Sequence, residues 1–281
     1  RKHVRGFATC LSISGKHEES KDMTHRARKR FGQNFLQDSG VIYSIIAAIN
    51  PSENMHVIEI GPGLGALTRP LLSNLDHLDL LEIDRDLVAY WNQENLKGLN
   101  VIEGDALKFD FLKWADARPA NSGLCKVVGN LPYNISSPLL FHLVSAAHLI
   151  DEQVFMLQAE VVERMVSKAG GSEFSRLSVM LQARYDMEQV LEVPPEAFDP
   201  QPKVNSAVVR MIPRRNFNLS DAQWHALEKV VAAAFSQRRK MLRTNLSAFA
   251  DRLSLSESEL KARAQDIPVE RYIEWAKTLA H

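Results

Sequence analysis

The sequence has few cysteines, no long apolar run and no excess of either charge. Its two cysteines, Cys10 and Cys125, lie far apart in unlike contexts, so they indicate neither a disulfide framework nor a metal site. A reduced, cytoplasmic setting is the expectation that follows. No apolar run approaches the roughly 20 residues that span a bilayer, and we expect no membrane association. Lysine plus arginine and aspartate plus glutamate number 34 each, so any affinity for nucleic acid must come from local clusters of basic residues.

Three segments of different character divide the 281 residues. Residues 1–22 are polar, have no sustained apolar period and precede Met23, so we interpret them as a disordered extension upstream of the folded protein. Further along, helical and strand patterns alternate at intervals of roughly 25 residues, which is typical of stacked βα units. After Pro213 only helical patterns occur. We therefore predict an α/β domain over residues 23–215 and a small all-helical domain over residues 216–281.

Glycine and acidic residues follow the first three predicted strands. A glycine-rich turn at residues 61–65 comes after the first strand, and such turns let the backbone approach a ligand closely. Glu82 ends the second strand about 20 residues later, where an acid receives ribose hydroxyls. Asp105 ends the third, where it can accept a hydrogen bond from an adenine amino group or cap a helix. Each has an ordinary structural explanation when taken alone. Ligands bind at the carboxyl ends of strands in open α/β sheets, however, so one shared ligand site is favoured.

The glycine turn departs from two common nucleotide-binding motifs. Pro62 and the absence of the G-x-G-x-x-G spacing argue against a dinucleotide site. No Lys-Ser or Lys-Thr pair follows the turn, so a phosphate-binding loop is not expected either.

The most informative segment begins at Asn130, directly after an apolar run that predicts a buried strand. The Asn130 side chain and a backbone carbonyl held rigid by Pro132 can both accept hydrogen bonds from an exocyclic amino group. Tyr133 beside them offers a flat face on which a base can stack. This combination suits chemistry on the amino nitrogen of adenine.

Taken in order, the motifs of the chain resemble those of the rRNA adenine N6-dimethyltransferases, and most closely their bacterial small-subunit branch. The resemblance runs from about Ala27 to the C-terminus. It is carried by Arg28–Leu36, Glu59–Thr68, Glu82–Asp84, Gly104–Ala106, Gly129–Pro138, Pro194–Phe198, Pro202–Val209 and Phe235–Lys240.

The resemblance implies a Rossmann-like class I methyltransferase sheet with helices on both faces, and S-adenosylmethionine as methyl donor without a metal. It also implies a catalytic group in which Asn130 and the Leu131 carbonyl bind the target amine while Tyr133 and Phe198 hold the flipped-out base. Without the resemblance, Phe198 would be assigned to the packing of a proline-rich loop. The donor-site residues that it implies are Gln33, Asn34, Leu36, Gly61, Gly63, Glu82, Asp105 and Asn130.

The activity that the resemblance implies is dimethylation of two adjacent adenines near the 3′ end of 16S rRNA. The expected partner is the small ribosomal subunit, and we expect a monomer. A large-subunit rRNA dimethylase of the antibiotic-resistance type is the close alternative. A DNA adenine methyltransferase is less favoured, because those enzymes commonly carry Asp where Asn130 stands. A non-catalytic assembly or transcription factor could lose Asn130 or Tyr133 without penalty, and both are present.

Two basic clusters are the expected contacts with RNA. A single run of charge is usually only a solvated face, whereas two clusters beside a base-methylation site in a neutral protein favour phosphate contacts. The second cluster is predicted to lie along one flank of a helix over residues 230–249. The clusters comprise Arg26, Arg28, Lys29 and Arg30, and then Arg238, Arg239, Lys240 and Arg243.

Overall fold

The computed structural model of the chain describes residues 34–216 and 219–280. Gln33 and the first basic cluster lie outside these ranges, so the predictions made for them stay predictions. The described elements are β1 (Phe35–Leu36), α1 (Ser39–Ile49), β2 (His56–Ile60), α2 (Thr68–Leu72), β3 (Leu78–Glu82), α3 (Arg85–Glu94), β4 (Leu99–Glu103), α4 (Phe111–Asp116), β5 (Cys125–Asn130), α5 (Ser136–Leu143), β6 (Glu152–Gln158), α6 (Ala159–Val166), α7 (Arg176–Gln182), β7 (Tyr185–Val193), β8 (Phe198–Asp199), β9 (Ser206–Pro213), α8 (Asp221–Ala234), α9 (Leu242–Asn245), α10 (Glu257–Lys261) and α11 (Val269–Leu279).

Seven of these strands form one twisted sheet in the order β4-β3-β2-β5-β6-β9-β7. The first five are parallel to one another, whereas β9 runs antiparallel to both β6 and β7. Numbered along the chain, the strands of this sheet have the order 3-2-1-4-5-7-6. The predicted α/β sheet is confirmed.

Helices cover both faces of the sheet, because successive residues of its central strands point to opposite sides. In β5, Val127 packs in a core with α4, α5 and α6, whereas Val128 packs in a core with α1, α2 and α3. Neither residue is exposed to solvent. Strands buried on both faces explain why the sequence shows short continuous apolar runs there instead of an alternating pattern.

Local signals set the helix ends that border the sheet. The Asp38 side chain accepts a hydrogen bond from the Val41 N–H at the start of α1, and Asp84 caps α3 in the same way. Both helices end at an asparagine in the left-handed region, Asn50 with φ 48° and Asn95 with φ 45°. These caps stop each helix near one end of its neighbouring strand.

The C-terminal helices form a third hydrophobic core, which includes α7. Phe174, Val179 and Met180 pack with side chains of α8, α9 and α11. The domain boundary predicted near Arg215 stays a prediction, and this packing adds that α7, although earlier in the chain, contributes to the core of the C-terminal helices.

The prediction of one helix over residues 230–249 is wrong. Helix α8 ends at Ala234, the chain turns, and α9 begins only at Leu242. The Asn245 side chain donates hydrogen bonds to the Ala234 carbonyl at 2.6 Å and to the Gln237 carbonyl at 3.1 Å. In a continuous helix the Ala234 carbonyl would accept from a backbone N–H four residues later, so a side-chain amide takes the place of the next helical turn.

Candidate active site

A cavity of about 540 Å³ opens at the carboxyl ends of β2, β3, β4 and β5, which is within the range of small-molecule sites. Residues predicted to bind the donor and residues predicted to bind the target base both line the cavity. The predicted residues that line it are Asn34, Leu36, Gly61, Gly63, Glu82, Asp105, Asn130, Leu131, Tyr133 and Phe198. The topology therefore brings together every predicted donor-site and catalytic residue that lies within the described ranges.

The glycine turn after β2 is shaped by positive backbone angles and by one aromatic ring. Gly61, Gly63 and Gly65 have φ values of 66°, 55° and 92°, which disfavour any residue with a Cβ. A Cβ on Gly65 would lie 2.5 Å from the Trp91 ring of α3. The indole N–H of Trp91 donates a hydrogen bond to the Gly63 carbonyl at 3.1 Å. The Trp91 ring therefore packs against the turn at Gly65 and holds it by a hydrogen bond at Gly63.

Trp91 is absent from the sequence-based site. Trp91 is one apolar position of a predicted helix, and nothing in the sequence around it indicates that it contacts the glycine turn. Its contact with the glycines is tertiary, between residues 28 positions apart.

Glu82 ends β3 with its carboxylate at the cavity edge, although its side chain is only 5% exposed. Its Oε1 accepts hydrogen bonds from the Ile83 and Asp84 N–H groups, both at 2.8 Å. Burial raises the pKa of Glu82 above its ordinary value, and these N–H groups oppose the rise. The Gly63 N–H of the glycine turn opposes it as well, so backbone N–H groups favour the charged carboxylate at the cavity edge, which suits Glu82 to accept from a hydroxyl pair.

A second buried acid, Glu59, also lines the cavity and is absent from the sequence-based site. The Thr68 hydroxyl donates to its Oε2 at 2.7 Å. Burial raises the pKa of Glu59 to about 8. A charged residue inside an otherwise apolar predicted strand was the available signal, because such a residue must be either paired or neutral.

Asp105 follows β4 and lies in the cavity wall, whereas its alternative as a helix cap is wrong, because the next helix, α4, is capped by Asp110. The Asp105 Oδ1 accepts a hydrogen bond from the Leu107 N–H at 2.9 Å, which holds the turn after the strand. The carboxylate is half-buried at the cavity edge.

Asn130 is the last residue of β5 and pairs with Met156 of β6. Its amide nitrogen donates to the Asn34 carbonyl at 3.4 Å, and the Leu131 N–H donates to the Met156 carbonyl at 3.1 Å. With the Nδ2 atom directed at Asn34, the side-chain oxygen of the same amide remains a hydrogen-bond acceptor in the cavity wall.

The two predicted base-holding rings occupy different environments. Tyr133 is half-buried, and its hydroxyl lies 2.8 Å from Ser206 Oγ at the start of β9. Phe198 is only 4% exposed and belongs to the core beneath α1, while also lining the cavity. Its strand β8 pairs with β1, with Leu36 opposite Phe198. Most of the Phe198 ring is therefore buried by packing, which was the alternative role, and the ring also lines the cavity.

The second basic cluster is exposed, on the turn after α8 and at the start of α9 instead of on a helix flank. Arg239, Lys240 and Arg243 are exposed, and the Arg238 guanidinium donates to the Ser172 carbonyl. Arg238 thus ties the turn to the loop before α7.

Across residues 34–216 and 219–280, no cluster of three or more His, Cys, Asp or Glu side chains has the arrangement of a metal site. Over the same residues, no helix combines the length and apolarity needed to cross a bilayer.

The strand order, the glycine turn after the first strand of the sheet and the acid that ends the second define a class I methyltransferase. The family model described as ribosomal RNA adenine dimethylase matches residues 24–281. The chain therefore belongs to the ribosomal RNA adenine dimethylase family, and the resemblance drawn from its motifs is confirmed.

Individual relatives agree with this assignment. A ribosomal RNA small subunit methyltransferase A of Bordetella petrii is 52% identical over 89% of this chain and 94% of the relative. A protein of the same name from Paraburkholderia xenovorans is 49% identical over 95% of this chain and 98% of the relative.

Two solved structures share the fold. A dimethyladenosine transferase from Plasmodium falciparum superposes with a TM-score of 0.71 at 25% identity, covering 86% of this chain and 95% of the other. The 23S rRNA methyltransferase ErmE gives a TM-score of 0.65 at 24% identity, covering 88% of this chain and 100% of the other.

Proposed function

We propose that this protein transfers methyl groups from S-adenosylmethionine to the N6 amines of two adjacent adenines near the 3′ end of 16S rRNA, giving dimethyladenosines. The observation that carries the proposal is that the Asn130–Tyr133 segment and the Glu82 carboxylate line one cavity. Relatives of about 50% identity that are named for the small subunit support this substrate over the large-subunit alternative.

The residues of the cavity fit the donor. S-adenosylmethionine supplies a methyl group on a positively charged sulfur. Glu82 would accept from the ribose hydroxyls, as a buried carboxylate at the cavity edge whose charged form is favoured by backbone N–H groups. Gly61 and Gly63 would pass close to the methionine part. Both have left-handed backbone angles that glycine adopts without strain, and neither places a side chain between the backbone and the donor. Asp105 would meet the adenine, and Asn34, Leu36 and Gln33 would close the site from the N-terminal side.

The acceptor half of the site would act on an amine that is a weak nucleophile. The lone pair of the adenine amino nitrogen is delocalised into the ring. Hydrogen bonds from this amino group to the Asn130 side-chain oxygen and the Leu131 carbonyl would favour a more pyramidal, more reactive nitrogen. Tyr133 and Phe198 would hold the base, so that positioning supplies most of the rate enhancement.

The remaining predictions belong to this proposal. The expected partner is the small ribosomal subunit, which the two basic clusters would contact, and the expected setting is the cytoplasm. The protein would act as a monomer without a metal.

The test is transfer of labelled methyl from S-adenosylmethionine to small ribosomal subunits that lack the modification, followed by nucleoside analysis. Large-subunit rRNA and duplex DNA run in parallel. We expect dimethyladenosine in the small subunit alone. Asn130→Ala should lower the rate by at least about 100-fold, the scale of losing a positioned polar group at a reacting centre. Asn92→Ala, on the exposed face of α3, is the matched control and should leave the rate unchanged.

Three results would contradict the proposal in different ways. Label in large-subunit rRNA would keep the chemistry and change the substrate. Subunit binding without any transfer would favour an assembly factor. An unchanged rate and product pattern for Asn130→Ala would refute the role of the Asn130–Tyr133 segment.

A further inference from the structure

We propose that Ser206 is a positioning residue for methyl transfer, because its hydroxyl fixes the ring of Tyr133 at the cavity wall. The inference rests on the proposed function, in which Tyr133 holds the target base. Ser206 Oγ and the Tyr133 hydroxyl are 2.8 Å apart and share a hydrogen bond between residues 73 positions apart in the sequence.

The strand ladder holds Ser206 in place on two sides. It is the first residue of β9 and pairs with Gln158, the last residue of β6, and with Val193, the last residue of β7. Because β9 runs antiparallel to β6, its start lies at the edge where β6 ends, which is the edge of the cavity. Ser206 is only 1% exposed, so its hydroxyl has little freedom to turn towards water.

Tyr133 lies on a loop whose other anchors hold only the main chain. The Leu131 N–H donates to the Met156 carbonyl at 3.1 Å, and the Ile135 N–H donates to the Pro132 carbonyl at 3.2 Å. Neither bond restrains the two side-chain torsions of the tyrosine. The hydrogen bond to Ser206 restrains the far end of the ring, so its plane is set before a base arrives.

The phenol is suited to this role and not to proton transfer. Burial raises the pKa of Tyr133 above its ordinary value, and the hydrogen bond to Ser206 opposes the rise. The group is therefore neutral at neutral pH and acts as a hydrogen-bond partner. The step that it assists is the correct placement of the amine and not the removal of its proton.

The test is a double-mutant cycle with Ser206→Ala, Tyr133→Phe and the double variant. Each single change removes one partner of the hydrogen bond and keeps the rest of the side chain. We expect each to lower kcat by about fivefold to tenfold, the effect of one hydrogen bond. The double variant should lose no more than either single variant. The KM for rRNA and the affinity for S-adenosylhomocysteine, measured by calorimetry, should not change. Ser206→Thr keeps the hydroxyl and should recover most of the rate.

Ser178→Ala is the matched control, since Ser178 is another fully buried serine, on α7, whose hydroxyl donates to the Arg164 carbonyl. It should leave kcat unchanged. Additive losses in the cycle, a normal kcat for Ser206→Ala, or an equal loss in Ser178→Ala would overturn the assignment of Ser206. If the unmodified protein transfers no methyl to rRNA, the proposed function fails and the assignment fails with it. If the unmodified protein methylates rRNA and Ser206→Ala has an unchanged kcat, the assignment of Ser206 is refuted and the proposed function stands.

Discussion

At the scale of single residues, the cavity is notable for two buried acids, Glu59 and Glu82, on neighbouring strands. Burial raises the pKa of both, and the nearby charge of Glu82 raises that of Glu59 further. Their hydrogen bonds differ, since Glu59 has a hydroxyl donor whereas Glu82 has several backbone N–H donors. Glu82 is therefore the better site for a negative charge, whereas Glu59 is better suited to remain protonated near neutral pH.

The raised pKa of Glu59 predicts a pH-dependent stability. Its ordinary value is 4.5 and its value in the folded protein is about 8. Between these values the unfolded chain loses the proton while the folded protein keeps it, so the free energy of unfolding falls as the pH rises from about 4.5 to 8. Glu59→Gln cannot ionise and still accepts from Thr68. It should flatten this fall by a few kcal/mol in total, of the order that linkage gives for such a shift.

Urea unfolding at several pH values measures this effect. Glu163→Gln, at an exposed position of α6, is the control and should reproduce the original pH dependence. Parallel curves for Glu59→Gln and the unmodified protein would mean that Glu59 is already ionised in the folded state.

At the scale of elements, the donor side of the cavity depends on a turn that packs against a helix. The glycine turn after β2 packs against Trp91 of α3. The Arg69 guanidinium lies 5.5 Å from the centre of the indole ring and forms an ion pair with Glu94. The turn has no room for a side chain at Gly65. Its shape is therefore a property of the contact between turn and helix.

Replacing Gly65 by alanine should separate backbone strain from steric conflict. Gly170 has a similar φ, 87° against 92°, but a Cβ there would meet nothing within 4 Å. Gly170→Ala should therefore lose only about 1 kcal/mol of stability from the left-handed backbone. Gly65→Ala should lose roughly 1–3 kcal/mol more, because the Trp91 ring must move.

Urea unfolding gives both stabilities, and calorimetry with S-adenosylhomocysteine shows the effect on the donor site. We expect weaker binding in Gly65→Ala alone, since displacement of Trp91 would also move the Gly63 carbonyl. Equal stability losses in the two variants would show that the turn can adjust without moving the ring.

At the scale of the whole molecule, α7 connects the methyltransferase sheet with the C-terminal helices. Leu177 and Leu181 pack in the core against the sheet, whereas Val179 and Met180 pack in the core of the C-terminal helices. The exposed basic turn after α8 is tied to the loop before α7 through Arg238 and Ser172. The basic surface is therefore linked to the sheet by packing and by this hydrogen bond.

Neutralising the exposed part of this cluster should weaken RNA binding. In the triple variant Arg239→Gln, Lys240→Gln, Arg243→Gln, the tie made by Arg238 is kept. The slope of log affinity against log salt should fall by roughly 2, since each phosphate contact contributes about 0.7–0.9. The measurement is a salt titration of rRNA binding. Replacing the exposed Lys97, Lys113 and Lys277 by glutamine removes the same charge elsewhere and should change the slope less. An equal change in both triple variants would indicate a general charge effect without a defined surface.

The sequence by itself determined the sheet, the order of its strands along the chain and the acids and amide at their ends. Short apolar runs such as the one that contains Val127 and Val128 are stabilised by burial on both faces, so their position inside a layered sheet follows from the sequence. The motifs then indicated the family, which the comparisons confirmed. The site residues gathered because parallel strands end at one edge, which is a consequence of topology and not of local preference.

Only the tertiary structure decided how these residues are held. The break in the predicted helix over residues 230–249 depends on the Asn245 side chain, which local periodicity cannot register. Trp91 and Ser206 act on residues 28 and 73 positions away, and neither has a local pattern that distinguishes it from a core residue. Periodicity reports which face of an element is buried. The partner that a buried polar atom finds there depends on how distant segments meet, and that is set when the chain packs.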